Sequence, residues 1–168
     1  MKIAVGADHR GAEAARELIS HLNAAGHEVT TFGQCDGNSC DYPDLAYEVA
    51  IAVRDAAADR GVLVCGTGIG MCIAANKIQS VRAALVHDQF TAEASRRHND
   101  ANILCMSGDM MARDEIIRIV DAWLATEFEG GRHQRRVNKI AAIENGSHPA
   151  DGDDTDPAPA DNPERATA

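Results

Sequence analysis

The sequence predicts a single α/β domain in which a parallel β-sheet is covered by helices on both faces. Residues 1–146 alternate short β-branched runs with longer helical patterns, and this alternation is typical of a parallel sheet. The chain has 168 residues, of which 45% are hydrophobic, enough for one buried core. It contains no apolar stretch of 18 or more residues, so we expect neither a transmembrane helix nor a membrane partner.

The predicted elements follow one another through short connections. In the first helix, Leu18, Ile19 and Leu22 form an apolar face, and Gly26 follows the last turn. Strands are predicted at residues 2–6, 28–32, 61–65, 82–86 and 103–107, and helices at residues 11–25, 45–57, 70–77, 89–98, 113–127 and 132–145.

The distribution of charge separates a folded body from a tail. The net charge is -10, which argues against a nucleic-acid partner because such partners require a basic surface. Residues 147–168 carry six acids and one base and are rich in Pro, Asp and Ala, so we predict a disordered acidic tail. The domain is predicted to span residues 1–146.

The number and spacing of the five cysteines indicate the redox state of the compartment in which the protein works. Cys35, Cys40, Cys65, Cys72 and Cys105 match no zinc-binding spacing, and their number is odd. We therefore expect reduced thiols in a cytoplasmic protein, with Cys72 and Cys105 in the core. The N-terminus also lacks the features of a signal peptide.

A glycine-rich turn follows the third predicted strand, where parallel sheets bind their ligands. Gly66, Gly68 and Gly70 let the backbone approach an anion with its N–H groups. A Walker loop would need a Gly-Lys-Ser/Thr ending, which is absent. A dinucleotide fingerprint would need glycine where Met71 stands, although Asp88 could mimic its ribose-binding acid. The turn is interpreted as an anion pocket, with a tight turn without ligand as the alternative.

Cys65 and the pair Asp8 and His9 end two of the predicted strands. A thiol beside a helix N-terminus is favoured as thiolate and can take a proton from carbon. The amides of the turn could then hold the oxygen of an enediolate. Asp8 and His9 can move protons or bind hydroxyls and phosphate. A small apolar strand residue at Cys65 and an exposed turn at Asp8 are the alternatives.

Arg132 and Arg136 lie four residues apart, on one face of the last predicted helix. A helix N-terminus disfavours a cation unless an anion is bound there, so the two arginines are interpreted as a phosphate clamp. A solvated basic face is the alternative. The segment from Arg96 to Asp100 is weaker, because basic residues ordinarily complement a helix C-terminus.

Together these motifs resemble the ribose-5-phosphate isomerase B family, which includes galactose-6-phosphate isomerases. The resemblance implies a three-layer Rossmann-like sandwich with a five-stranded parallel sheet, a homodimer, and no metal or organic cofactor. It spans residues 1 to 145, and its motifs are Ala7-Asp8-His9-Arg10-Gly11, Asp41-Tyr42-Pro43, Val64-Cys65-Gly66-Thr67-Gly68-Ile69-Gly70, His98-Asn99-Asp100-Ala101-Asn102 and Glu129-Gly130-Gly131-Arg132-His133-Gln134-Arg135-Arg136-Val137.

The resemblance implies an aldose–ketose isomerase acting on ribose 5-phosphate and ribulose 5-phosphate. It makes Cys65 the base and Thr67 the hydroxyl that helps proton transfer between substrate oxygens. The remaining roles are an anion hole at Gly66, Gly68 and Gly70, ring opening by Asp8 and His98, phosphate binding by His9, Arg132 and Arg136, and lining of the site by Tyr42 and Asn99.

One position departs from the family, because Asp109 stands where many relatives have a phosphate-binding arginine. Arg113, four residues on, is a candidate to compensate. The departure leaves a tetrulose 4-phosphate as an alternative substrate. A non-catalytic phosphosugar-binding module is the hypothesis from another class, and a base beside an anion hole argues against it.

His98 is predicted to lie far from Cys65 in the same chain. Its helix runs antiparallel to the strands and is about 15 Å long, so His98 should lie near the opposite edge of the sheet. We therefore expect a homodimer in which the active sites are shared between subunits.

Overall fold

A computed structural model describes residues 1–33 and 39–151. Within these residues the predicted elements are all present, with one additional turn of 3₁₀ helix at Pro149–Asp151. The strands are β1 Lys2–Ala7, β2 Glu28–Phe32, β3 Arg60–Cys65, β4 Ala83–Leu85 and β5 Ile103–Ser107. The helices are α1 Ala12–Ala24, α2 Tyr42–Arg54, α3 Ile69–Ala75, α4 Gln89–Asn99, α5 Arg113–Leu124 and α6 Arg132–Glu144.

The five strands form one parallel sheet in the order β2-β1-β3-β5-β4. The chain moves outward from β1 to β2 and then crosses back to place β3 on the other side of β1. In an open α/β sheet the point where the strand order reverses leaves a crevice at the carboxyl ends. Here that crevice opens between the residues that follow Ala7 and Cys65.

Helices cover both faces of the sheet, as predicted. On one face Leu18 and Leu22 of α1 pack with Ile116, Ile119 and Trp123 of α5, and all are fully or almost fully buried. The opposite face is covered by α2 and α3, whose core side chains include Val49, Val53 and Met71. With few aromatic residues, the two cores consist mainly of aliphatic side chains, and the three-layer prediction is confirmed.

The second helix differs most from its prediction. It begins at Tyr42 rather than at residue 45, because Pro43 lies in its first turn, where a missing N–H costs no hydrogen bond. It ends at Arg54 rather than at residue 57, since Ala56 has a positive φ of 56°. The earlier start places Tyr42 at the carboxyl edge of the sheet.

The prediction of reduced cysteines is confirmed at three positions and wrong at one. Cys65, Cys72 and Cys105 are free thiols, whereas Cys40 takes part in a disulfide. Cysteine count and spacing carry no information on how close the fold brings two thiols, and Cys35 lies outside the described residues. Most of the predicted acidic tail, residues 152–168, also lies outside them. No helix in the described part of the chain is long and apolar enough to cross a membrane.

Candidate active site

The loop after β1 is held by the carboxylate of Asp8. Its Oδ1 atom accepts hydrogen bonds from the backbone N–H groups of Arg10 at 2.9 Å and Gly11 at 3.0 Å. Gly11 lies so close to the carbonyl of Val64 in β3 that a Cβ at this position would overlap it. Asp8 is therefore buried at the crevice, whereas His9, which follows it, is exposed.

The glycine turn after β3 is tied to the end of β5. Gly68 has a φ of 76°, and a Cβ placed on it would lie 3.0 Å from the carbonyl oxygen of Met106. The hydroxyl of Ser107 donates to the carbonyl of Gly66 at 2.6 Å, and the N–H of Met110 donates to that hydroxyl at 3.0 Å. Glycine at position 68 is thus required by both backbone angle and space.

Cys65 lies at the end of β3 with its sulfur facing the turn. The N–H of Gly68 points at Sγ with an N–S distance of 3.1 Å, and the residue is only 4% exposed. Thr67 is exposed, and its Oγ1 accepts from the N–H of Ile69 at 3.4 Å. A thiol and backbone amide donors therefore lie at one end of one strand, an arrangement that can move a proton at carbon.

A second thiol lies close by on α3. A hydrogen bond with Cys105 lowers the pKa of Cys72 to about 7, against the opposing effect of burial. Burial raises the pKa of Cys105 well above its ordinary value. Cys72 Sγ contacts the carbonyl of Ala83 in β4 at 3.4 Å, so this thiol is directed at the edge strand. Both cysteines pack in the core, as predicted.

Tyr42 joins the turn from the N-terminus of α2. A Cβ placed on Gly70 would lie 2.5 Å from Cε2 of the Tyr42 ring. The ring therefore packs directly on the backbone of the turn. The structure thus brings Tyr42, a predicted lining residue, to the glycine turn.

A separate group of side chains surrounds His98 at the end of α4. The His98 ring stacks on the ring of His133 in α6, with centroids 4.3 Å apart and an interplanar angle of 9°. Nε2 of His133 lies 3.6 Å from Glu129, and Arg132 Nε lies 3.4 Å from the same nitrogen. Burial lowers the pKa of His133, and the charges of His98 and Arg132 lower it further.

The same group does not fit a metal centre. Ligand atoms of His98, Glu129 and His133 lie within 4.8 Å of one another. However, the two rings are parallel, so their in-plane lone pairs run side by side and do not converge on one ion. Zinc sites need nitrogen and oxygen ligands at about 2.0–2.2 Å that converge in a tetrahedral arrangement.

The two groups lie at opposite edges of the sheet. Helix α4 has 11 residues and a length of about 16 Å, and it carries His98 and Asn99 away from the carboxyl ends of the strands. Asn99 lines a cavity of 450 Å³ between the edge strand and α6, together with Arg82 and Ile140.

Arg132 and Arg136 lie in the first turns of α6, the helix whose His133 stacks on His98. One chain thus brings Asp8, His9, Tyr42, Cys65 and the glycine turn together, and leaves His98, Asn99 and the arginines apart.

Known proteins match this chain along nearly the whole domain. The family model for Ribose/Galactose Isomerase matches residues 3–140. The chain belongs to this family. A relative named ribose-5-phosphate isomerase B, from Escherichia coli (strain K12), is 44% identical over 143 residues, covering 85% of this chain and 96% of the relative.

Two further matches inform the substrate class of this isomerase family. A D-erythrulose-4-phosphate isomerase from Pectobacterium atrosepticum is 38% identical over 145 residues, covering 86% of this chain and 95% of the relative. A solved structure of ribose-5-phosphate isomerase B from Mycoplasma genitalium with bound ribulose-5-phosphate is 42% identical, with a TM-score of 0.82. That match covers 87% of this chain and 97% of the other and confirms the predicted fold.

The isomerase has features that the sequence did not reveal. Asp109 forms an ion pair with Arg10, and this pair lies against Gly66. Arg113, the candidate to compensate for Asp109, is engaged elsewhere, because it pairs with Glu13 and with Glu17 of α1. These pairs join distant parts of the chain, so no local pattern could have predicted them. His133 follows Arg132 in the motif from Glu129 to Val137, but its stacking on His98 depends on how α6 packs on α4.

Proposed function

We propose that this family member interconverts ribose 5-phosphate and ribulose 5-phosphate by moving a proton between C2 and C1. The observation that carries the proposal is the placement of Cys65, whose sulfur accepts the Gly68 N–H at the crevice between β1 and β3. The relative from Escherichia coli carries the corresponding name. Proton transfer through an enediolate requires a base and donors to the developing oxyanion, and Cys65 and the amides of the turn supply them.

The proton transfer proceeds through an enediolate. The Cys65 thiolate takes the proton from C2 of the open-chain aldose. The electrons of that C–H bond form a C1–C2 double bond, and the π electrons of the carbonyl move to its oxygen, O1. Backbone amides of the turn at Gly66, Gly68 and Gly70 stabilise the charge that develops on this oxygen. Thr67, whose side chain is exposed at the turn, helps move the hydroxyl proton between O2 and O1. Cys65 then returns its proton to C1, which yields the ketose.

Ring opening and phosphate binding are assigned to residues from both groups. Asp8 and His98 open the furanose ring, and His9, Arg132 and Arg136 hold the phosphate. The first turn of α6 contains no acidic residue and begins with Arg132, an arrangement that a bound anion stabilises. Tyr42, which packs on Gly70, and Asn99 line the pocket.

The separation of the two groups supports a homodimer with shared sites. His98 and Cys65 cannot meet on one sugar within a chain if they lie at opposite edges of the sheet. A twofold symmetric dimer would place the His98 group of each subunit over the crevice of its partner. Exposed apolar residues on several helices are available for such an interface, among them Ile69, Ile73, Ile140 and Ile143.

A cytoplasmic location is part of the same proposal. The free thiols of Cys65, Cys72 and Cys105 fit a reducing compartment, whereas the disulfide at Cys40 does not. The acidic net charge of -10 supports a small-molecule substrate over a nucleic acid.

A tetrulose 4-phosphate is the second candidate substrate. It is favoured by the similarity to the Pectobacterium enzyme and by Asp109, which places a carboxylate where many family members have a phosphate-binding arginine.

Separate assays with ribose 5-phosphate and erythrulose 4-phosphate distinguish the candidates. We expect ribulose 5-phosphate to form with the higher kcat/KM. A higher kcat/KM with erythrulose 4-phosphate would make the second candidate correct. Binding of both sugars without turnover of either would mean that the chain is a phosphosugar-binding module.

A further inference from the structure

Two charged side chains bridge the crevice above the glycine turn. Arg10 comes from the loop after β1, and Asp109 comes from the loop after β5. Nη2 of Arg10 pairs with Oδ2 of Asp109. A Cβ placed on Gly66 would lie 2.9 Å from Nε of Arg10 and 2.9 Å from Oδ2 of Asp109. The pair therefore lies directly on the first glycine of the turn.

Backbone contacts fix the loops that carry this pair. The N–H of Gly108 donates to the carbonyl of Cys65 at 2.8 Å, and the N–H of Asp109 donates to the carbonyl of Gly66 at 3.3 Å. Gly108 also lies against the carbonyl of Arg10, which a Cβ at position 108 would approach to 2.8 Å. The guanidinium is thus held beside the turn from two sides.

Arg10 is positioned to meet an anionic ligand. Its side chain is 58% exposed, and it directly follows His9. A guanidinium has five donors, so the ion pair leaves it capacity for an oxyanion. Arg113, the other arginine considered as a phosphate ligand, forms ion pairs with Glu13 and Glu17.

We propose that Arg10 binds the phosphate of the substrate and that Asp109 competes with this phosphate for Arg10. The inference rests on the proposed function, since it assigns residues to the same crevice. Asp109 then lowers the affinity of the site for the dianion in two ways. It occupies donors of Arg10, and it adds a negative charge beside the bound phosphate. The pair sets how tightly this enzyme holds phosphorylated sugars.

Inorganic phosphate is the probe, and its Kd is measured by calorimetry at low ionic strength, where charges are least screened. Arg10→Gln removes a charge-assisted hydrogen bond and should raise the Kd about tenfold. Asp109→Asn removes the competitor and should lower the Kd about threefold or more. In the Arg10→Gln background, Asp109→Asn should have a smaller effect, because the two residues act on each other.

A matched control uses a second exposed ion pair, between Arg118 and Asp114 on α5, with an N–O distance of 2.6 Å. The variants Arg118→Gln and Asp114→Asn should leave the phosphate Kd unchanged. If Arg10→Gln binds phosphate with the wild-type Kd, Arg10 is not a phosphate ligand. If Asp109→Asn does not bind more tightly, Asp109 is not a competitor, and the pair is an ordinary surface ion pair.

The binding measurement is independent of turnover. If phosphate affinity responds as expected but neither sugar phosphate is isomerised, the inference stands and the proposed function fails. If ribose 5-phosphate is isomerised but the Kd for inorganic phosphate is the same in the Arg10 and Asp109 variants as in wild type, the inference fails and the proposed function stands.

Discussion

Asp8 and Cys65 are both almost fully buried, and each has a polar atom directed at backbone N–H groups. The carboxylate of Asp8 orders the loop after β1, and the sulfur of Cys65 accepts a bond from the turn after β3. Buried polar atoms without partners are costly, so these bonds stabilise the loops as well as the site. The ring of His133 is also buried, and this burial lowers its pKa.

The lowered pKa of His133 predicts a pH dependence of stability. Burial lowers the pKa of the ring in the folded chain, so as the pH falls the unfolded chain binds a proton first, near the ordinary histidine pKa of 6.5. The contribution to stability is therefore fully present above pH 6.5 and is lost as the pH falls below it. His133→Asn should lose less melting temperature than wild type between about pH 7.5 and 5.5.

The control for this measurement is His87→Asn, which replaces an exposed histidine in the loop after β4. Its loss of melting temperature should equal that of wild type. Equal losses in His133→Asn and wild type would contradict the assigned cause.

The predictable residues were those whose position follows from the order of the elements. Cys65, Asp8 and the glycines end strands, so a parallel sheet necessarily brings them to one edge. The ion pair of Arg10 with Asp109 and the stack of His98 on His133 could not be predicted. They depend on side-chain directions across residues far apart in sequence, about which hydrophobic periodicity carries no information.

Among the secondary-structure elements, β3 with its glycine turn determines the geometry of the site most directly. The strand was predicted to within one residue, because a buried apolar run bounded by glycines is a strong signal. The start of α2 was missed by three residues, since Pro43 was not recognised as a first-turn residue. That error matters, because the true start is what places Tyr42 against Gly70.

The turn itself can be tested with Gly68→Ala. The methyl group would lie 2.6 Å from Leu85 Cδ1 and 3.0 Å from the Met106 carbonyl, at a φ of 76°. Left-handed backbone costs a non-glycine residue about 1–2 kcal/mol, and overpacking costs about 1–3 kcal/mol more. We expect urea unfolding to show a loss of about 2–5 kcal/mol.

Gly26→Ala is the matched control, because Gly26 has a φ of 85° and no atom within 4 Å of an added Cβ. It should lose only the backbone contribution of about 1–2 kcal/mol. Equal losses in the two variants would mean that the packing around the turn does not constrain it.

In the proposed function, the two groups of side chains on opposite edges of the sheet are two halves of a site shared between subunits. Cys65 and Asp8 lie on one edge, and His98 lies at the far end of α4, a helix about 16 Å long. A shared site would make assembly a condition for activity, as expected where a symmetric dimer completes a pocket.

Mixing two inactive variants tests the shared site. Cys65→Ala and His98→Asn are combined under conditions that exchange subunits, and heterodimers are verified by mass. Each heterodimer would contain one intact site, so a statistical mixture should recover roughly a quarter of wild-type activity. Verified heterodimers that stay inactive, while both variants remain folded, would exclude sharing between subunits.

Cys65 is the proposed base of the reaction. Cys72 is the other thiol that could act as a base, so its variant provides the control. Cys72 has a pKa lowered to about 7 but is directed at Ala83, away from the glycine turn. Cys72→Ala should therefore keep most of its turnover.

The decisive measurement is the kcat of Cys65→Ala with ribose 5-phosphate, taken with its melting temperature and its Kd for inorganic phosphate. General base catalysis is typically worth about 10²–10⁴-fold, so kcat should fall by that factor while the other two values stay near wild type. A folded Cys65→Ala variant that keeps more than about a tenth of the wild-type kcat, well outside that range, would contradict the account.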